Sequence, residues 1–357
     1  MALAAASRES ESFLVCHINL DRGFRGGERQ TELLIRQLAQ AGWSQRVVLR
    51  HGAALARRLS DVRGLEIRFC SGLLYAAISI GKADLVHVHQ GRAIYPAYLR
   101  KLLSGVPYIV TRRVQSRPTA GWFTRRAYAG ASKLVAISRS VAQSMSEAMS
   151  LPQEQMALIP SAFESLPTDP AAAQALRLEW GGQFIVGNVA ALDGDHKGQR
   201  DLIAVAREFS VSHPQIHFVF VGSGRDEESF RLESQDLGNI HFAGFQDRVG
   251  DYLGAFDLFA FPSMKEGMGS VLLDAMDHGL AVVASDVGGI PEVVVDGQTG
   301  LLVPAASPDQ LGAAILKFYA DPDLRQAMGR AGKQRSDLFR ASIMAQRYVT
   351  LYRGLLG

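Results

Sequence analysis

The sequence predicts an α/β protein of two units, each a parallel sheet buried by crossover helices. Three observations predict it. Short apolar runs bounded by Gly, Pro or Asp alternate along the whole chain with longer stretches of helical period, the rhythm of strand and crossover. The 357 residues exceed a single ordinary core, at roughly 100 to 200 residues per domain. Charge divides as well: through Ser165, 22 Lys and Arg face 11 Asp and Glu, a balance of +11, and the remainder carries 16 against 24, a balance of −8. The two parts therefore face different partners.

In the first half, apolar runs place strands at 13–18, 47–49, 85–88, 108–110 and 134–137, with helices such as 28–41 between them and 139–149 after the last. The second half repeats the rhythm with strands at 184–189, 216–221, 258–261, 281–284 and 301–303. Segment 159–170 holds Pro160, Pro167 and Pro170 and no apolar run long enough for a strand, so it reads as the linker. The expected organisation is one unit over 1–165, a second over 166–340, and a helix of regular period in the closing stretch 341–357.

A hydrophobic fraction of 47 % with 20 % charged residues excludes a disordered chain. The only two cysteines, Cys16 and Cys70, exclude a disulfide-dense scaffold and a four-cysteine zinc module and imply no thiol chemistry. Residues 1–12 lack the apolar core of a secretory signal, and the apolar run 73–80 is far short of the roughly 20 residues that span a bilayer. A cytoplasmic protein, soluble or peripheral, is expected. The densest basic stretch, Arg112, Arg113, Arg117, Arg125 and Arg126 with Trp122 and Phe123 among them, suits an anionic membrane surface or a solvated arginine face. No recognition-helix, zinc-finger or RNA-binding strand accompanies it, so no nucleic-acid partner is expected.

Open parallel sheets bind ligands beyond the carboxyl ends of their strands, and four strand-to-helix junctions stand out. Gly23, Gly26 and Gly27 precede a helix, where a ligand can approach the backbone and an anion can meet unpaired N–H groups. Asp193-Gly194-Asp195-His196-Lys197-Gly198 puts a lysine at a helix start, placed to neutralise a phosphate. Its aspartates read as turn and N-cap residues in preference to metal ligands. At the third junction Glu266 precedes Gly267, Met268, Gly269 and Ser270, whose N–H groups are expected to face phosphates. Asp274 follows eight residues after Glu266, about two helical turns, so the two carboxylates can grip separate polyol groups of one ligand. At the fourth, a strand ends in His87 and His89 on one face. A metal pair is conceivable but no third ligand is suggested nearby, so His89 reads as a polar site residue and His87, deeper in the strand, as structural.

In order, the segments GFRGGERQTELLIRQLA, DLVHVHQG, VGNVAALDGDHKG, FAGFQDRVGDYLGAFDLFAFPS, EGMGSVLLDAM and GLAVVASDVGGIPEVVVDGQTGLLVP resemble a family 4 retaining glycosyltransferase of the GT-B type, over nearly the whole chain and most strongly from Phe242 to Pro304. The resemblance implies two facing Rossmann-like domains closing over their substrates. The first binds the acceptor, the second the nucleotide sugar, and a C-terminal helix crosses back to the first. It implies that Glu266 contacts donor-sugar hydroxyls and that Asp274, one methylene shorter than the family's usual glutamate, meets the ribose. It further implies that Lys197 binds the diphosphate, that His89 lies near the donor sugar, that Gly26 and Gly27 let the ligands approach the backbone, and that Gly244, Phe245 and Gln246 surround the nucleobase. No metal is implied. The arginine that usually precedes the lysine is absent, since none occurs between Gly181 and His196.

The expected chemistry is transfer of a sugar from a nucleoside diphosphate sugar to a hydroxyl with retained configuration, the leaving phosphate taking the acceptor proton on the same face. The basic first half and the overall resemblance point to a glycolipid or oligosaccharide acceptor, a lipopolysaccharide core at the inner face of the cytoplasmic membrane. Two alternatives stand beside it: a non-catalytic sugar-nucleotide-binding subunit, and a dinucleotide-dependent oxidoreductase suggested by Val221-Gly222-Ser223-Gly224, whose fingerprint fails where its third glycine is Glu227.

Overall fold

The computed structural model describes residues 13–116, 121–149, 151–181 and 183–357. Residues 1–12 and Arg117, both used above, lie outside the described residues. The chain divides into two units, Met1–Phe163 with Phe339–Gly357, and Glu164–Leu338.

The first unit is a seven-stranded sheet of β1 (Leu14–Asn19), β2 (Ser44–Arg50), β3 (Leu65–Cys70), β4 (Leu85–Val88), β5 (Tyr108–Arg112), β6 (Lys133–Ala136) and β7 (Met156–Leu158), in the order β3-β2-β1-β4-β5-β6-β7. All of its pairings are parallel. The second unit is a six-stranded parallel sheet of β8 (Phe184–Val189), β9 (Ile216–Val221), β10 (Ile240–Gly244), β11 (Leu258–Phe261), β12 (Ala281–Ser285) and β13 (Leu301–Val303), in the order β10-β9-β8-β11-β12-β13. Strand order reverses between β1 and β4 in one unit and between β8 and β11 in the other, and it is beyond such reversals that doubly wound sheets bind ligands.

The expected strands are present. β3, β7 and β10 are additional to them. The helix Gly26–Gln40 starts two residues earlier than expected because Glu28 Oε2 accepts the Arg25 N–H at 3.0 Å, closing the first turn from within. Its apolar face buries Leu33, Leu34 and Leu38 against Val15, Trp43 and the closing helix Ala341–Leu356, which contributes Met344, Tyr348, Val349 and Tyr352 to the same core. The sequence's linker contains the unit boundary. Phe163 pairs with Arg340 in an isolated bridge, so the outgoing and returning stretches run side by side. Among the described residues no helix is long and apolar enough to cross a membrane.

Candidate active site

In the second unit, the loops leaving β8 and β11 converge. Gly198 holds φ at +66°, and a Cβ there would lie 1.9 Å from the Pro262 carbonyl oxygen, so only glycine permits this approach. The Met264 N–H donates to the His196 carbonyl at 2.9 Å, tying the two loops together. The contact sets Lys197 Nζ 2.6 Å from Glu266 Oε2, with Lys197 also 5.5 Å from the centre of the Phe261 ring. Lys197 ends the short helix Gly194–Lys197, just ahead of the helix Gln199–Ser212, instead of opening a helix as expected. Ser263, fully buried in the loop after β11, has no hydrogen-bond partner for its hydroxyl among the described residues.

Glu266 also accepts the N–H of Gly267 at 3.0 Å, so this N–H is already engaged and does not face outward with its neighbours as expected. Gly269 adopts φ +75° at the N-cap of the helix Ser270–Asp277, and Met268 is buried. Because that helix opens only at Ser270, the eight residues from Glu266 to Asp274 are not two helical turns: Glu266 stands in the preceding loop, while Asp274 is 2 % exposed within the helix. Gly244 takes φ +69° at a register shift in β10, leaving Phe245 exposed and folding Gln246 Nε2 back onto the Ala243 carbonyl at 2.6 Å.

The competing readings of this unit resolve into packing. A Cβ on Gly222 or Gly224 would lie 2.0 Å from the Ala190 oxygen or 2.1 Å from the Leu192 oxygen, so these glycines seat the loop after β9 against the loop after β8. Asp193 stands at an N-cap without a side-chain capping bond and pairs instead with Arg225 at 3.0 Å; Asp226 accepts the Gly194 N–H at 2.9 Å.

In the first unit the reversal between β1 and β4 carries a buried polar chain. His17 and His87 face each other across the two strands, and His17, His87 and His89 form a cluster that supplies the third histidine the sequence had not suggested. The Gln45 amide donates to the Ile35 carbonyl at 3.0 Å, so its oxygen accepts from His17 Nε2 at 3.1 Å. Burial drives the His17 pKa down to about 3, keeping the ring neutral, so Nδ1 accepts from His89 Nε2–H at 2.9 Å. His89, also held well below the ordinary value by burial and then by His87, turns its remaining lone pair on Nδ1 toward the Arg113 guanidinium at 3.2 Å. Arg113 donates to the His89 carbonyl as well, at 3.0 Å, and its Cδ lies 4.0 Å from where a Cβ on Gly27 would be. His87 is bound at both nitrogens, by Tyr352 at 2.6 Å and Thr111 at 2.7 Å.

Both ring nitrogens of His89 are thus used within the unit. This corrects two expectations. Arg113 is locked against His89 instead of lying on an outer basic face, and Arg112, 9 % exposed, turns inward to the Ser116 carbonyl and the Tyr128 hydroxyl. Arg125, Arg126 and Trp122 remain exposed, with Arg126 stacked 4.8 Å over the Trp122 ring. His17, Gln45 and the contact of Arg113 with His89 were not expected from the sequence. The one available signal was a histidine within the apolar run of β1, two residues before the polar Asn19.

The family described as "Glycosyltransferase Family 4" matches residues 24–164, and "Glycosyl transferases group 1" matches residues 177–335. The chain is 28 % identical over 344 residues to alpha-maltose-1-phosphate synthase of Mycolicibacterium smegmatis, covering 85 % of this chain and 88 % of that protein. It is 36 % identical over 148 residues, 38 % of each chain, to GDP-mannose-dependent monoacylated alpha-(1-6)-phosphatidylinositol monomannoside mannosyltransferase of Corynebacterium glutamicum. Among solved structures, Anabaena HepE in complex with UDP and glucose superposes with a TM-score of 0.85 at 19 % identity, covering 96 % of this chain and all of that one, a likeness of fold.

Proposed function

We propose, from the premise that the chain belongs to the family 4, group 1 glycosyltransferases of the GT-B fold, that it moves a hexose from a nucleoside diphosphate sugar to an acceptor hydroxyl with retention of configuration. The observation that carries this is the Lys197–Glu266 pair, 2.6 Å apart beyond the carboxyl ends of β8 and β11. A cation and a carboxylate side by side match a ligand whose diphosphate adjoins a ring of hydroxyls. On binding, Lys197 turns to the diphosphate and Glu266 to the sugar, so each exchanges one partner for another and no charge is stranded. As the glycosidic bond breaks, negative charge grows on the phosphate, and Lys197 stabilises it electrostatically. Asp274 takes the ribose and Gly244 to Gln246 the base.

The reaction needs no metal on this reading. The ring nitrogens of His17, His87 and His89 are engaged with one another or with Gln45, Tyr352, Thr111 and Arg113, and Asp193 is held by Arg225. The acceptor is a phosphate-bearing envelope glycoconjugate, a lipopolysaccharide core in its most specific form, met at the inner face of the cytoplasmic membrane. Two observations support this: the first unit holds 25 Lys and Arg against 10 Asp and Glu, and both relatives above are named for phosphorylated sugars or lipids.

A thermal-shift screen over nucleoside diphosphate sugars tests the donor assignment: one sugar nucleotide should raise the melting temperature selectively, without added metal and in the presence of chelator. A flat response across all of them overturns it.

A further inference from the structure

We propose that the helix Leu73–Ile80 is the membrane-docking element of the first unit, inserting its outer face into an anionic bilayer; this deepens the reading of a lipid-borne acceptor and rests on it. The helix is apolar on both sides. Ala76, Ala77 and Ile80 face the core, while Leu74, Tyr75 and Ile78 are each more than 60 % exposed. Exposed apolar side chains on consecutive turns of one helix leave a stripe in water that a core-packing role does not require. The next helix, Ile94–Ser104, packs alongside and exposes Leu102 and Leu103, and the helix Trp122–Ala129 packs against that one and exposes Trp122.

Charge identifies the occupant. The three helices of the layer carry Arg100, Lys101, Arg125 and Arg126 and no Asp or Glu. A second copy of the chain would set this acid-free surface against itself. An anionic bilayer instead offers phosphate to the cations and acyl chains to Leu74, Tyr75 and Ile78, the two contributions that hold an interfacial helix. Of the arginine and aromatic stretch that the sequence singled out, Trp122, Arg125 and Arg126 then form one flank of the surface.

The test is co-sedimentation of the full chain with vesicles of phosphatidylglycerol and phosphatidylethanolamine, and with neutral phosphatidylcholine vesicles. Wild type should bind the anionic vesicles and be released by salt. The double variant Leu74→Glu, Ile78→Glu should bind at least about tenfold more weakly, as expected when two side chains can no longer bury apolar area. Val211→Glu, which changes an exposed apolar residue of the second unit, should bind as wild type does. Circular dichroism and the donor-induced thermal shift should be unchanged in both. Equal binding by the double variant, or no preference for anionic lipid, overturns the proposal. So does a wild-type dimer that the double variant dissolves, because the stripe would then be a contact between copies. Docking as expected without stabilisation by any nucleotide sugar overturns the donor site and leaves the surface standing.

Discussion

Lys197 and Glu266 each meet the other's charge before a donor arrives, so the consequences of removing them are linked. Lys197→Met and Glu266→Gln should each lower turnover by more than about tenfold, about 1.4 kcal/mol of barrier. The double variant should lose less than the product of the two, since both act on one ligand. Steady-state kinetics of the four proteins decide it, and strictly multiplicative losses would separate the residues functionally. The histidines give a second expectation. Burial holds His17, His87 and His89 in the first unit and His217 and His241 in the second below the ordinary imidazole value, His241 at about 4. The unfolded chain takes up protons near pH 6.5 where the folded chain refuses them, so stability is full above that pH and falls as pH drops through it. Each refused proton costs about 1.4 kcal/mol per pH unit. Denaturant midpoints should fall between pH 7 and pH 5, before most carboxylates titrate; equal midpoints would show that the rings protonate in the fold. Lys197 and Glu266 drew attention in the sequence as charged residues beside glycine between a strand and a helix, and Asp274 by its spacing from Glu266. His17 did not: its meaning comes from β1 lying beside β4, which no local pattern states.

At the level of the element, legibility followed burial. The central strands read as continuous apolar runs because helices cover both faces of a parallel sheet. The edge strand β3, LEIRFC, alternates apolar with charged residues and is mostly part-exposed; β7 has three residues, and β10 is part-buried along its whole length. These lack the long apolar run that marks a strand. The junctions after strands were legible through glycine, though not the reason for each glycine. Gly198 is the clearest: its φ of +66° and the Pro262 oxygen both forbid a side chain. Gly198→Ala should therefore cost about 1–3 kcal/mol in backbone strain and more in displaced loop. The displacement should separate Lys197 from Glu266, lowering donor affinity beyond what the stability loss explains. Urea denaturation together with donor titration at a temperature where the variant is folded checks this. Wild-type donor affinity in a destabilised variant would show that the loop contact does not set the ion pair.

For the whole molecule, the chain leaves the first unit at Phe163 and returns at Phe339, so the first unit is completed only by residues that follow the second unit. Charge asymmetry and the proline-rich stretch made two units legible, but the returning helix looked in sequence like any amphipathic helix; its place in the first unit came from the resemblance. In the structure its Tyr348 and Tyr352 are fully buried, Tyr352 lies 5.8 Å edge-on from Trp43, and both hydroxyls join the polar chain, to Thr111 at 2.8 Å and His87 at 2.6 Å. A chain ending at Leu338 would expose that core and strip the histidine cluster of a partner, a loss of several large buried side chains at about 3–5 kcal/mol each for aromatic truncations. Such a loss approaches the whole stability of a domain. The second unit has its own sheet and a separate core around Phe209, Phe218, Phe220 and Phe318. Hydrogen exchange on the truncated chain should therefore show amides of β1, β4 and β5 exchanging freely while those of β8, β9 and β11 stay protected. Uniform protection in both units would mean that the first unit closes its core without the helix. Uniform loss would mean that the two units fold only together.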